Sequence, residues 1–294
     1  MSSSDDPFEV LYRAAMGARD AADFRTAERY AKELVALSES RGDRHWLAMA
    51  YVILAPALGQ RNDSRGAGEA ARKARDLFRE LHDEVGEARA LMALGAIALD
   101  INLDSSTARN YYDECVPMIR RAKDRRLLAV ALGNLSEIAR LEGDYRIALK
   151  HSTESLEIFR ALGDHARSGW QLVNTAHYHA LSRDYDTAVE RLREAFDELT
   201  LERNPRWLAW YFDVWIIIAA SSQRWETVAR LRGFTDRYRD EHNVHRLQAM
   251  LPWLSMPFEQ VWKNLPQERV DELLIEGESL TVEQAHAIAV DGTS

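Results

Sequence analysis

Cysteine occurs once in 294 residues, at Cys115. A single cysteine excludes an intrachain disulfide and a cysteine-built metal cluster. With no clear activating group beside it, Cys115 is expected as a small core residue rather than a reactive thiol. Proline (7) and glycine (14) are also scarce, so the residues that interrupt helices are few. Strictly alternating β-branched runs are absent, which argues against strands. The longest apolar run, Val214 to Ala220, is far too short to cross a bilayer. An excess of positive charge is missing as well. The formal net charge is −9 and is spread along the chain, leaving no electrostatic footprint for nucleic acid. The N-terminal MSSSDDPFEV is polar and acidic, the opposite of a signal peptide, and a cytoplasmic location is expected.

Chemistry-bearing motifs are missing too. The sequence contains no GxxxxGK[ST], HExxH or GxSxG. His177 and His179 flank Tyr178, and residues two apart on a helix point to different sides, so the pair does not chelate one ion. No catalytic residue, cofactor or metal is expected, and the chain is not read as an enzyme.

What is present is helical. Hydrophobic residues make up 46% of the chain, enough to support a folded core. The clearest stretch is Ala131 to Asp164. Leu132, Leu135, Ala139 and Leu141 recur at three- to four-residue spacing, then Gly143–Asp144 supplies a helix stop and a cap. Tyr145, Ala148, Leu149, Ser152, Leu156, Phe159 and Leu162 continue the pattern, and Gly163–Asp164 repeats the stop-and-cap signal. This predicts two amphipathic helices joined by a tight turn.

The stretch recurs. Aspartates mark the turns at Asp23, Asp63, Asp104, Asp144 and Asp184, spaced 40, 41, 40 and 40. The next position is Phe24, Ser64, Ser105, Tyr145, Tyr185 and Trp225; three further on lie Ala27, Ala67, Ala108, Ala148, Ala188 and Val228. A second series runs Asp43, Asp83, Asp124, Asp164 and Asn204. A fixed period of this length is the signature of a solenoid. The extra residue falls between Glu84 and Leu103, where Gly95 and Asn102 would accommodate a bulge or longer turn. Pro56 predicts a kink, and Arg61–Gly68 a flexible loop. Beyond Thr235 the repeat degrades. His245–Trp253 reads as the first helix of a final unit, followed by helices broken at proline over roughly Phe258–Asn264, Glu268–Glu276 and Val282–Val290. The organisation expected is an array over 1–251 and a helical cap over 252–294, covering the apolar face of the last repeat.

Asn134–Leu135, Gly143–Asp144–Tyr145 and Ala148, with Leu132 as the large residue of the first helix, resemble the tetratricopeptide repeat. Ser136 stands where the family has glycine, and Ala139 where it has tyrosine. The 40-residue period, the phrase Ser155–Asp164, and the closing pattern of Trp262, Glu276–Gly277, Leu280, Val282–Ala285 and Ala287 resemble the C-terminal arrays of signal-transduction ATPases and LuxR/AfsR-type bacterial regulators. The resemblance covers about residues 8–290. It implies an all-α, right-handed superhelical solenoid of about six helical hairpins with a regulatory or scaffolding role. The chain lacks the nucleotide-binding module and helix-turn-helix of those regulators, so ATPase and DNA-binding roles do not carry over.

In such an array the first helix of each hairpin lines the concave face. Its slots are Val130, Gly133, Glu137 and Arg140; then Arg89, Met92 and Ala96; Met49, Val52 and Pro56; Trp170, Val173, His177 and Ala180; and Trp210, Asp213 and Ile217. Asn134 and Asn174 share one slot a repeat apart, but the lysines of a carboxylate clamp are missing, and this slot also serves to bond backbone between repeats. Trp207, Trp210, Tyr211, Phe212 and Trp215 crowd a single helix. Phe212 and Trp215 are expected in the core, while Trp207, Trp210 and Tyr211 are interface candidates. The leading expectation is a scaffold binding a peptide or protein segment in its groove, with no nucleic acid or membrane partner. A small-molecule or signal-peptide sensor and a structural homo-oligomer are the alternatives.

Overall fold

The computed structural model describes residues 6–291 apart from 22, 62, 101–103, 203, 245 and 247–250. Among the described residues there are fifteen α-helices and no strand. They fall into two compact units, Met1–Asp144 and Tyr145–Ser294. The first holds α1 (Pro7–Asp20), α2 (Phe24–Arg41), α3 (Arg44–Gly59), α4 (Ser64–Glu80), α5 (Glu84–Asp100), α6 (Ser105–Ala122) and α7 (Arg125–Leu141). The second holds α8 (Tyr145–Ala161), α9 (His165–Leu181), α10 (Tyr185–Glu202), α11 (Pro205–Ser221), α12 (Trp225–His242), α13 (Leu251–Asn264), α14 (Gln267–Glu278) and α15 (Val282–Val290). The division falls inside the Ala131–Asp164 stretch, between its two helices.

The periodic aspartates do two jobs at once. At eight of them the side chain accepts a bond from the backbone N–H three residues on: Thr26 to Asp23, Trp46 to Asp43, Gly66 to Asp63, Gly86 to Asp83, Thr107 to Asp104, Leu127 to Asp124, Arg167 to Asp164 and Thr187 to Asp184. This satisfies an amide that has no partner within the helix. The backbone N–H of the same residue also closes the helix behind it. Asp43 N reaches Ser38 O at 2.9 Å, Asp144 N reaches Ala139 O at 2.9 Å, and Asp164 N reaches Phe159 O at 3.0 Å. The residue before it is left-handed at Gly42, His82, Lys123, Gly143, Gly163 and Arg183. One residue thus ends one helix and begins the next, which keeps the connections short.

At Asp104 the backbone bond reaches back six residues, to Ala98 O at 2.9 Å, so the extra residue of the 41-residue interval lies between Ala98 and Asp104. Helix α5 runs unbroken past Gly95. Gly95 is not a bulge but a seat for an aromatic ring: a Cβ there would lie 2.6 Å from Tyr112. Asn102 lies outside the described residues.

Two other local expectations change. Ser64–Gly68, read as loop, is the first turn of α4, because Asp63 caps it. Pro56 lies inside α3, as expected, and the helix runs to Gly59. Helix α13 starts at Leu251 and passes through Pro257, which forfeits one backbone bond without ending the helix. The proposed His245–Trp253 helix falls mostly outside the described residues. Helix α15 begins as expected at Thr281, with a full capping box to Gln284.

Small residues set the spacing of the layers. In the first unit Ala27, Ala67 and Ala108 have no exposure, nor do Ala48, Ala88 and Ala129 on the facing first helices. Helices α1, α3, α5 and α7 contact one another in succession, and each packs against its hairpin partner or the preceding second helix. The second unit repeats this with Ala148, Ala188 and Val228. There, α13, α14 and α15 pack back on α11 and α12. The α12–α14 crossing is close: a Cβ on Gly233 would meet Leu274 O at 2.1 Å, and one on Gly277 would meet Arg230 O at 2.1 Å. Arg230 to Glu276 at 2.7 Å and Arg237 to Leu280 O at 2.7 Å tie the same elements.

The capping series ends at Arg224, where no side chain caps α12. Its guanidinium instead donates to the carbonyls of Ala289 (3.0 Å) and Asp291 at the far end of α15. Cation and helix C-terminus are a favourable pairing.

Candidate functional site

The first-helix face of each unit is built from residues at matching positions, yet the two faces differ in what remains open. In the first unit Met49, Val52 and Pro56 on α3, Arg89 and Ala96 on α5, and Val130 and Glu137 on α7 are all half-buried. Met92 is buried. The charges of this face are used internally. Arg89 reaches Asp124 at 3.2 Å. Arg140 makes two bonds to Glu137, at 2.9 and 2.5 Å, and its side chain is 1% exposed. Expected as a groove cation, Arg140 is instead an interior residue with its charge matched. What remains accessible is an apolar row with two half-buried charged residues.

Asn134 settles into the structural role. Its amide donates to Tyr112 Oη at 2.8 Å, and that hydroxyl donates to Met92 O at 3.2 Å, linking α7, α6 and α5. Cys115 lies inside the same unit with no exposure, and burial pushes its thiol up to about 12.

In the second unit the corresponding face is filled by its own side chains. His177 has no exposure and stands edge-on to Trp210 (4.9 Å) and Trp253 (6.4 Å). Trp210 and Asn174 are buried as well. Trp253 comes from α13, so that helix closes over the slot that the repeat pattern leaves open. Asp213 is fully buried and paired with Arg239 and, at 3.7 Å, Arg246. Arg246 also reaches Asp236 at 2.6 Å and Thr235 Oγ1 at 3.0 Å. Burial pushes the Asp213 carboxyl up, and the two guanidinium groups pull it down. Asp213, His177, Trp210 and Asn174 were expected at the groove surface; here they are interior.

Of the interface candidates, Tyr211 is buried, with its hydroxyl 2.6 Å from His286 Nδ1. Trp207 stays half-buried and stacks on Trp170 at 5.8 Å. Phe212 and Trp215 have no exposure, as expected.

Arg239, Arg246, Trp253 and His286 were missed. One signal existed. Arg239 falls 40 residues after Leu199 and 80 after Phe159, at a slot that is apolar and buried in the earlier repeats. Among the described residues no group of three or more His, Cys, Asp or Glu side chains is placed to hold a metal ion, and no helix is long and apolar enough to cross a membrane.

Comparison with known proteins agrees with this architecture. Residues 127–197 match the tetratricopeptide repeat model. No curated protein matches the chain. Among solved structures, a Rap protein complexed with Competence and Sporulation Factor superposes with a TM-score of 0.65 at 13% identity, covering 92% of this chain and 76% of that one. Aspartyl phosphate phosphatase F from Bacillus subtilis gives 0.61 at 14% identity over 93% of this chain and 72% of that one. A signal transduction ATPase with a tetratricopeptide repeat sensor, from Pyrococcus horikoshii, gives 0.59 at 15% identity; 93% of this chain is covered but only 45% of that one. At these identities the likeness is one of fold. The chain is therefore built on the tetratricopeptide-like helical array, with the tetratricopeptide repeat itself carried by residues 127–197.

Proposed function

We propose that this protein is a non-enzymatic interaction scaffold, and that the first-helix face of its first unit docks a peptide or protein segment. One observation carries the reading. Met49, Val52, Pro56, Ala96 and Val130 remain half-buried, while of the matching positions in the second unit Trp210, Asp213, Val173 and His177 are inside and Trp170 and Ile217 stay half-buried. A row of accessible apolar side chains beside internally paired charges favours an apolar segment over a highly charged one. The half-buried Met49 lets such a surface adapt to its occupant. The fold likeness to a Rap protein complexed with Competence and Sporulation Factor supports a binding role for an array of this kind.

The test is capture of partners from the cell of origin by the full chain, followed by two sets of variants. Ala96→Arg with Val130→Glu blocks the first-unit face. Trp170→Ala with Trp207→Ala removes the stacked pair of the second. Loss of partner in the first set alone supports the proposal. Unchanged capture in the first set removes it.

A second reading rests on the Trp170–Trp207 stack, two half-buried aromatics of the type that anchor interfaces. On that reading a second copy of the chain is the simplest occupant. Sedimentation showing a monomer at high concentration would reject it.

A further inference from the structure

His286 is a polar side chain by which α15 grips the body of the second unit through an aromatic contact. Its ring lies on Phe196 of α10, with centroids 3.6 Å apart and planes 8° from parallel. Its Nδ1 is 2.6 Å from the hydroxyl of Tyr211 on α11. Tyr211 has no exposure, and burial raises its hydroxyl above the ordinary tyrosine value. In the neutral tautomer that carries its proton on Nε2, the Tyr211 hydroxyl donates to Nδ1.

Adding a proton to Nδ1 reverses this bond. The imidazolium donates, and the Tyr211 hydroxyl proton loses its acceptor in a buried position, which is the costly outcome for a polar group. A charge is also placed in a half-buried stack. The charged groups around His286 do little to offset it: on α10, Asp197 favours the proton and Arg193 opposes it. From α12 the cations are Arg224, which holds the carbonyls of Ala289 and Asp291, and Arg237, which holds Leu280 O ahead of α15. From α11 only Tyr211 meets the ring. Burial, the larger cause, lowers the His286 pKa below 6.5.

We propose that His286 is a pH-sensitive fastening of α15: neutral, it holds the helix on Phe196 and Tyr211; protonated, it loosens that hold. The sign follows from linkage. A histidine whose folded pKa is lowered contributes docking that is complete above the unfolded value of 6.5 and is lost as pH falls from there toward the folded value. Helix α15 has nine residues; besides the histidine it is held by the fully buried Ala285 and Ala289, by Val282 and Val290 packed on the core, and by Arg224 at its far end, so losing the histidine bond and stack frees its middle while Arg224 still holds its C-terminus. That loosening uncovers Phe196 and Tyr211.

The experiment is amide hydrogen exchange of the full chain between pH 7.5 and 5.0, expressed relative to intrinsic exchange. Protection over 282–290 should fall as pH drops from 6.5 toward the folded value, by up to about tenfold per pH unit, the limit for one bound proton, while α9 in the same unit stays constant. His286→Phe keeps the stack without titrating and should abolish the fall. If that variant does not fold, His286→Asn replaces it, since its Oδ1 accepts from Tyr211 and does not titrate. Constant protection of 282–290 in the parent, an equal fall in α9, or the same fall in the non-titrating variant overturns the proposal.

Discussion

The side-chain amide of Asn134 on α7 donates to the hydroxyl of Tyr112 on α6 at 2.8 Å, and through it to the backbone of α5 at Met92. Three helices share one hydroxyl. Tyr112→Phe should destabilise the first unit by about 1–2 kcal/mol, the cost of leaving polar partners unmatched. Adding Asn134→Ala should cost little more, because the two groups form one chain. Urea unfolding of the single and double variants measures both. A fully additive double variant would show that the bonds act separately.

Asp213 and Arg239 form a buried pair at positions where earlier repeats are apolar. Asp213→Asn leaves the buried Arg239 guanidinium without its carboxylate, and a loss of about 3–5 kcal/mol is expected. Joint replacement by Asp213→Leu and Arg239→Leu should recover most of that loss, since Arg246 keeps Asp236 and Thr235. Thermal unfolding of the three proteins distinguishes a charge effect from a general intolerance of change at this site.

Gly233 and Gly277 face each other across the α12–α14 crossing, and each would drive a Cβ into the other helix's backbone. Because backbone cannot rotate aside as a side chain can, Gly277→Ala should cost about 1–3 kcal/mol and loosen α14. Protection of the α14 amides from exchange should drop before that of α9. Gly17→Ala, on α1, with nothing within 4 Å of its Cβ, is the matched control and should be stabilising or neutral.

Cys115 is buried and its thiol is raised to about 12. The native protein should therefore resist thiol reagents near neutral pH, with labelling at the rate of opening of the first unit. Fast, stoichiometric labelling of the folded chain would contradict the buried placement.

The capping carboxylates of Asp23 and Asp104 are held below the ordinary value of 3.8. Hydrogen bonds from the side chain and then the backbone of Thr26 do this for Asp23; the backbone and then the side chain of Thr107 do it for Asp104. A depressed carboxylate contributes stability above its unfolded pKa and loses it as pH falls through the folded one. NMR titration should place both below 3.8, and Thr26→Val or Thr107→Val should raise the corresponding value.

Much of the fold was legible because its determinants are local. An aspartate that caps one helix and closes the turn behind it acts over three residues forward and five back, so its recurrence near every 20 residues displays the hairpin pattern directly. The small residues at Ala27, Ala67, Ala108, Ala148 and Ala188 were readable for the same reason: one spacing serves every layer. Where local rules competed, sequence reading failed. Asp63 outweighed the loop-like RNDSRGAG, and Gly95 served a ring 17 positions away rather than its own helix.

The site was legible only as a set of positions. Periodicity placed Arg89, Val130, His177 and Asp213 on equivalent faces, but whether a face stays open depends on what packs over it. That was decided by contacts distant in sequence: Trp253 on His177, Arg239 and Arg246 on Asp213, and His286 on Tyr211. A period of 40 specifies which residues share a face, because helix geometry repeats. It does not specify whether side chains from the last helices fill that face, because burial depends on where separate helices meet in space.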